Sequence, residues 1–310
     1  MIDTFVETEL ETPSGAHLQL YSRMPERGVK AAIHINHGMA EHAARYARFA
    51  RLLSRAGFAV FAHDHRGHGK THAPDAPRGV FADDQGFDAV ISDVLAVNKH
   101  IRARDHDVPV ILFGHSMGSI IALNFALRYP ERVDALACWN AGVETGGLAK
   151  ASRVILGTER LIRGRNRASG LARSLTFTAW NKTFRPNRTD FDWLSRDPEE
   201  VDTYIADPDC GFDVSVGLWL DLLDGIFYAG KDQHLKSLPQ DLPVHIQGGG
   251  DDPCSNKGKD MAHLAERMKS AGMADVSLHI LPETRHESLN ETNRDQVMVA
   301  FMAWLEKRFG

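Results

Sequence analysis

Two rhythms of apolar and polar positions organise this chain. Residues 4–10 and 16–22 alternate apolar and polar, as the two strands of an antiparallel hairpin at a sheet edge do. Residues 31–36 and 57–62 are short, nearly continuous apolar runs and read as buried strands, with a helical pattern from about Ala43 to Ala56 between them. From Gly86 to Arg104 the period lengthens to that of a helix, with Phe87, Val90, Ile91, Val94 and Val97 on one face. Val108–Phe113 and Val133–Cys138 are further strands, separated by the helical run Ile120–Leu127. Strands that alternate with helices in this way predict βαβ units and a mostly parallel, doubly wound sheet.

The rhythm breaks near Gly142. From residue 145 to about 239 helix-like patterns dominate and no clear β-run occurs. Strand rhythm resumes at Leu242–Gln247, followed by a helix from about Asn256 to Ser270, a strand at Val276–Leu281 and a helix from about Thr292 to Arg308. The expected organisation is a core over residues 1–144, a helical insertion over 145–239 and the rest of the core over 240–310. Charge is divided within the insertion. Residues 147–190 hold ten basic side chains against Glu159 and Asp190, and residues 191–235 hold eleven acidic ones against Arg196 and Lys231. Two readings follow: the halves attract one another, or each is a separate solvated face.

Composition narrows the class. At 310 residues, with 43% apolar and 25% charged residues, the chain can bury a full core without staples. A net charge of -5 gives no electrostatic reason to expect nucleic acid or an anionic membrane as a partner, and the basic half lacks an aromatic-interleaved groove. Cys138, Cys210 and Cys254 are odd in number and far apart, which reads as free thiols in a reducing compartment. The first residues lack a basic region followed by an apolar one, and no run of 18 apolar residues occurs, so a cytoplasmic enzyme is the expectation.

The chemistry centres on Gly114-His115-Ser116-Met117-Gly118, placed between a strand and a helix. A G-x-S-x-G turn there holds the serine in a strained conformation. It lifts the hydroxyl above the sheet and aims the first N–H groups of the helix at whatever that hydroxyl attacks. A serine hydroxyl is a weak nucleophile and needs a base, a carboxylate to orient the base, and donors for an oxyanion. His286 follows the last strand and is the base candidate; Asp251 and Asp252 follow the strand before it and both satisfy a G-x-x-D pattern. Asp252, which directly precedes Pro253, is the preferred acid, and Asp251 the solvated alternative. In an open parallel sheet all of these lie at the carboxyl ends of strands, where sites assemble. The expected oxyanion donors are the N–H of Met117 and the N–H of Met39, beside Gly38 in the loop after residues 31–36. His63, His65 and His68 have an H-x-H-x-x-H spacing that is weak evidence for a metal; a hydrogen-bonded structural loop is the reading adopted, with no metal or cofactor expected.

Read together, His37-Gly38-Met39-Ala40-Glu41-His42, His63-Asp64-His65-Arg66-Gly67-His68-Gly69, the serine turn, Asp252-Pro253-Cys254-Ser255-Asn256 and Arg285-His286-Glu287-Ser288-Leu289-Asn290-Glu291 resemble the monoacylglycerol lipase and lysophospholipase group of serine aminopeptidase-like α/β-hydrolases. Leu194-Ser195-Arg196-Asp197 and Asp207-Pro208-Asp209-Cys210-Gly211-Phe212 are similar to the insertion of bacterial members. The resemblance implies an α/β-hydrolase fold, with a mostly parallel eight-stranded sheet and an inserted helical cap. It implies a carboxylic-ester hydrolase with Ser116 as nucleophile, His286 as base and acid, Asp252 as orienting carboxylate, and Met39 and Met117 as oxyanion donors. Two positions depart from the group: Met39 stands where a small residue is frequent, and Ser119 where a glycine is frequent.

The cap should supply an acyl pocket, with Trp180, Phe184 and Trp219 as the first candidates to line it. The implied partner is a small-molecule ester or lipid, with transient membrane or micelle contact through the cap; no oligomeric state is implied. The same serine machinery also serves amidases, peptidases and acyltransferases, and a silent fold that only binds a ligand is the alternative outside enzymes. A dehalogenase is disfavoured because its nucleophile would be an aspartate rather than Ser116.

Overall fold

The computed structural model describes residues 5–104 and 107–310. Thr4, placed by the sequence at the start of the first strand, and the opening residues before it lie outside them.

Eight strands form one sheet: β1 (Val6–Glu11), β2 (His17–Arg23), β3 (Ala31–Asn36), β4 (Phe58–His63), β5 (Val110–His115), β6 (Ala135–Trp139), β7 (Val244–Gly249) and β8 (Val276–Leu281). Their order is β1-β2-β4-β3-β5-β6-β7-β8. β1 pairs antiparallel with β2, and β2 with β4; every other pairing is parallel. The alternating residues of β1 and β2 thus sit at one edge, and the mostly apolar β3, β4 and β5 lie inside, buried on both faces.

The helices are α1 (Ala47–Arg55), α2 (Gly86–Arg104), α3 (Met117–Arg128), α4 (Gly147–Arg163), α5 (Gly170–Arg173), α6 (Ala179–Lys182), α7 (Pro198–Ala206), α8 (Val216–Ala229), α9 (Asp232–Leu235), α10 (Lys259–Ser270) and α11 (Arg294–Phe309). Successive strand residues feed opposite layers. Leu112 joins a cluster built by α2, α3, α8 and α10, while Ile111 and Phe113 join one built by α1 and α11.

β7 begins and ends two residues later than its apolar run suggests. Leu242 is tied into a turn through Pro239, and Gly248 and Gly249 extend the ladder opposite Ile280 and Leu281. The following helix starts only at Lys259, because Asn256, Lys257 and Gly258 take left-handed backbone angles.

Helices α4–α9 all fall between β6 and β7 and form the helical cap. Its divided charge is paired across the two halves: Arg153 with Asp224, Arg165 with Asp221, Arg173 with Asp213 and Arg188 with Asp202. The acidic half also reaches the core, through Arg48–Glu200, Arg78–Asp209, Arg267–Asp232 and Arg294–Asp197. Most of these pairs are exposed and individually weak, so they set the register of the cap more than its stability. Apolar contact holds it down. Leu218 and Leu222 of α8 enter the α2/α3 cluster, and Asn124 Nδ2 donates to the Gly225 carbonyl at 3.0 Å. A Cβ on Gly225 would stand 2.3 Å from the Phe87 ring, so α8 and α2 meet where only glycine fits.

Candidate active site

The turn between β5 and α3 dictates where Ser116 points. Ser116 has φ 54° and ψ -120°, a strained conformation for a side chain, and its N–H is held by the Trp139 carbonyl at 2.9 Å. The flanking glycines are sterically required. A Cβ on Gly114 would meet the Gly118 carbonyl oxygen at 2.2 Å, and one on Gly118 the Asn36 carbonyl oxygen at 2.0 Å, backbone against backbone in both cases.

Three loops converge on this serine. His286 Nε2 lies 2.9 Å from Ser116 Oγ, and its Nδ1 lies 3.0 Å from Asp252 Oδ1. Asp252 is fully buried and also accepts from the Cys254 N–H at 2.9 Å, the Ser255 hydroxyl at 2.7 Å and Asn140 Nδ2 at 3.3 Å. Burial opposes its charge, but His286, Ser255 and Asn140 together outweigh burial and hold the carboxyl below the ordinary range. Asn140, just past β6, is fixed in turn by the Ser288 hydroxyl on its Oδ1 at 2.8 Å. Asp251 makes no comparable approach: its N–H bonds to the Thr284 carbonyl, and the histidine faces its neighbour. Since β7 runs to Gly249, both aspartates sit directly past the strand, and the turn in which the Asp252 N–H bonds to the Gly249 carbonyl selects the second.

A cavity of about 380 Å³ opens beside Ser116. Met39 and Met117 line it with the serine, and Phe177, Trp180, Trp219, Leu222 and Ile226 form an apolar wall from the cap. Two of the three cap aromatics singled out in the sequence, Trp180 and Trp219, therefore border the cavity. Phe184 is not among the lining residues; the Arg285 guanidinium sits over its ring at 4.1 Å, and the ring packs against the cluster around Trp193. Carboxylates are present as well. Asp260 lines the cavity near Glu144, and burial together with that neighbour raises its proton affinity.

Four further residues around the histidine, His115, Glu41, Arg45 and Trp193, had no role assigned in the sequence reading. His115, beside the serine, places its ring 4.9 Å from that of His286 and its Nε2 3.0 Å from the His286 carbonyl, with Nδ1 facing Glu41 at 3.5 Å. With an acceptor at each nitrogen, Glu41 and Glu287 outweigh burial and raise the proton affinity of His115. Glu41 accepts the Gly38 N–H at 2.5 Å and the Tyr46 hydroxyl at 2.9 Å, and so anchors the loop that carries Met39. Arg45 bridges Glu41 to Glu287, binding the latter through two bonds of 2.7 Å. Burial opposes both carboxylates, but Arg45 overrides it and holds them below their ordinary range. Trp193, from the cap, packs its ring 4.8 Å from His286. The only signal for these in the sequence was position: His115 and Glu41 stand inside motifs already noted, and Arg45 and Trp193 within three residues of one.

His63, His65 and His68 are buried with His34 and His37 as a ring-contacting cluster, in which the His65 N–H donates to His37 Nε2 at 2.9 Å. Among the described residues the one group of three metal-type ligands within reach of one another is His42, Asp207 and Cys210, at the seam of core and cap; His42 Nε2 and Asp207 are hydrogen-bonded there at 2.8 Å.

The sequence profile of a family described as serine aminopeptidase, S33, matches residues 27–293. A mouse monoglyceride lipase is 31% identical over 276 residues, covering 87% of this chain and 83% of that protein. A monoacylglycerol lipase of Mycolicibacterium smegmatis is 27% identical over 91% of this chain and 90% of its own. Among solved structures, a thermostable carboxyl esterase from Bacillus coagulans superposes with a TM-score of 0.84 at 22% identity, over 99% of each chain, and shares the fold. With a serine turn, strand order and match of this extent, the chain belongs to the serine aminopeptidase S33 family of α/β-hydrolases.

Proposed function

We propose that this serine ester hydrolase cleaves monoacylglycerols or closely related single-chain esters through an acyl-enzyme on Ser116. The observation that carries the reading is His286, bonded at once to Ser116 and Asp252 at the mouth of an apolar cavity. Ser116 Oγ attacks the ester carbonyl while His286 Nε2 takes its proton. Asp252 keeps the other ring nitrogen protonated and stabilises the imidazolium that forms. The tetrahedral oxyanion is received by the N–H groups of Met117, at the start of α3, and Met39. His286 then returns the proton to the leaving alcohol, and a water deprotonated by the same nitrogen releases the acid.

The cap is the part of this proposal that chooses the acyl group. Residues 145–239 form it, and Trp180 and Trp219 give the acyl chain an apolar wall. Its volume falls within the range of small-molecule pockets. The relatives' names, monoglyceride lipase and monoacylglycerol lipase, support a glycerol monoester as the substrate class. Leu148, Val154, Leu161 and Ile162 of α4 are at least 70% exposed, among Lys150, Arg153 and Arg160, which supports transient docking on a lipid surface. Among the described residues no helix is long and apolar enough to cross a membrane. The three free cysteines support a reducing, cytoplasmic compartment.

The test is hydrolysis of monoacylglycerols and p-nitrophenyl esters of graded chain length, with Ser116→Ala as control. Turnover of monoacylglycerols that vanishes in the control is expected. Turnover of amides in preference to every ester would overturn the substrate class.

A further inference from the structure

We propose that Trp193, a cap side chain, is a positioning residue for His286, and that its indole face favours the imidazolium formed when His286 takes the serine proton. The inference rests on the reading of Ser116, Asp252 and His286 as a triad. The two ring nitrogens of His286 are fixed by Asp252 and Ser116, which sets an axis through the ring but leaves its tilt about that axis free. Packing must supply the rest. Two rings do so: His115 at 4.9 Å between centroids and Trp193 at 4.8 Å, with an interplanar angle of 37°.

These neighbours act in opposite senses. His115 faces an acceptor at each nitrogen, and Glu41 raises its proton affinity against burial; a proton held there disfavours a second positive ring beside it. An indole presents the most negative face of any side chain and attracts a cation, most strongly where water is excluded. Trp193 is 4% exposed, and its indole N–H has no hydrogen-bond partner among the described residues. Burying that N–H is unfavourable and phenylalanine would avoid it, so the indole is not held there by a hydrogen bond. The other charged groups around the imidazole are Asp252 on the β7 side, and Glu41, Arg45 and Glu287 behind His115.

The cap holds Trp193 in place from both sides. Its backbone N–H donates to Asn181 Oδ1 at 3.0 Å, and its ring rests on Phe177 at 5.2 Å and Trp180 at 5.0 Å, both of which line the cavity. Segment 192–196 is also sewn to the histidine loop. The Glu287 N–H donates to the Leu194 carbonyl at 2.8 Å, Arg285 to the Ser195 carbonyl at 3.0 Å, and the Ser195 hydroxyl to the Asn290 carbonyl at 2.8 Å. The acyl wall and the support of the base are therefore one continuous stack.

The experiment compares Trp193→Leu and Trp193→Phe with the unaltered protein on a soluble short-chain p-nitrophenyl ester, recording kcat, KM and the pH dependence of kcat/KM. For Trp193→Leu a fall in kcat of about tenfold is expected with KM within about twofold, and an acid limb moved to lower pH by about 0.5–1 unit. Trp193→Phe retains a π-face and should move the limb in the same direction by less; if the leucine variant does not fold, the phenylalanine variant decides. A rate loss with the acid limb unmoved, or an unchanged rate, would overturn the proposal and leave Trp193 as packing. Should Ser116→Ala still react with a fluorophosphonate, the triad reading would fail first and take this proposal with it, an outcome visible without any Trp193 variant.

Discussion

Replacing Asp252 by asparagine is the sharpest test of the site, because the surroundings of that carboxylate leave an amide no good orientation. Asp252 accepts four hydrogen bonds: His286 and the Cys254 N–H on Oδ1, Ser255 and Asn140 on Oδ2. An asparagine keeps one oxygen. With that oxygen toward His286, the new NH₂ faces Asn140 Nδ2, and Asn140 cannot turn over without giving up the Ser288 hydroxyl on its other end. With the amide reversed, the NH₂ confronts both the Cys254 N–H and the histidine. The histidine escapes by moving its proton to Nε2, which then cannot accept from Ser116. Either way the productive tautomer is lost or left unsupported. By comparison with triads elsewhere, kcat should fall about 10³–10⁴-fold, or about 4–5.5 kcal/mol of transition-state stabilisation. The assay is steady-state hydrolysis of a p-nitrophenyl ester, with thermal unfolding to show that the variant is folded. Asp251→Asn should stay within about threefold of the unaltered enzyme, since no bond to the histidine is involved. A loss of less than tenfold in Asp252→Asn, or a larger loss in Asp251→Asn, would refute the reasoning.

Other expectations follow from the same geometry. Ser116→Ala should lose at least about a thousandfold in rate and all labelling by a fluorophosphonate probe, read by intact-protein mass. Trp180→Ala and Trp219→Ala should shift the preferred acyl length while Phe184→Ala does not; each methylene buried is worth about 0.8 kcal/mol, or about fourfold in specificity, so a series of esters resolves the shift. Arg45→Met removes the cation that separates Glu41 from Glu287, both nearly inaccessible, and should destabilise the fold by about 3–5 kcal/mol in urea unfolding. Stability should begin to fall below about pH 6.5, where the histidines of the unfolded chain take up protons. Burial lowers the proton affinity of His34, His37, His63, His65, His68 and His245, so the unfolded chain takes up protons there that the folded one refuses. Among the buried histidines His115, with raised affinity, works the other way as one group against these six. A urea midpoint that stays flat from pH 7 to 5 would contradict this.

How much of this was legible depends on whether the signal is local. The serine turn was, because strand, two glycines and helix are contiguous, and the glycine requirement arises within five residues plus one neighbouring strand. The mostly parallel sheet was implied by alternation, and the antiparallel edge by the polar–apolar pattern of β1 and β2; the strand order was not. Opposite charge blocks in the cap were visible as blocks, but which arginine met which aspartate was not, since only the path of the chain from α4 to α8 determines it. Trp180, Phe184 and Trp219 looked alike along the chain. Phe184 meets Arg285, a hundred residues on, a contact with no trace in the local sequence. Trp193 meets His286, and Glu41 meets His115, across long stretches of sequence, and no periodicity encodes such a meeting.

The seating of α8 bears on how this protein can be recombined. Caps of this kind are natural candidates for exchange between relatives, with cuts made at the ends of the insertion. Here one such cut would carry away a helix that completes the packing of α2 and α3, including the Gly225–Phe87 contact and the Asn124 bond. A transplanted cap therefore needs a matching Phe87 and Asn124 on its host, and a junction that retains α8 with the core while exchanging only α4–α7 respects the actual seam. By the same token, deleting residues 145–239 outright would strip a wall from the core rather than open its entrance, and the remainder should aggregate instead of becoming a minimal enzyme.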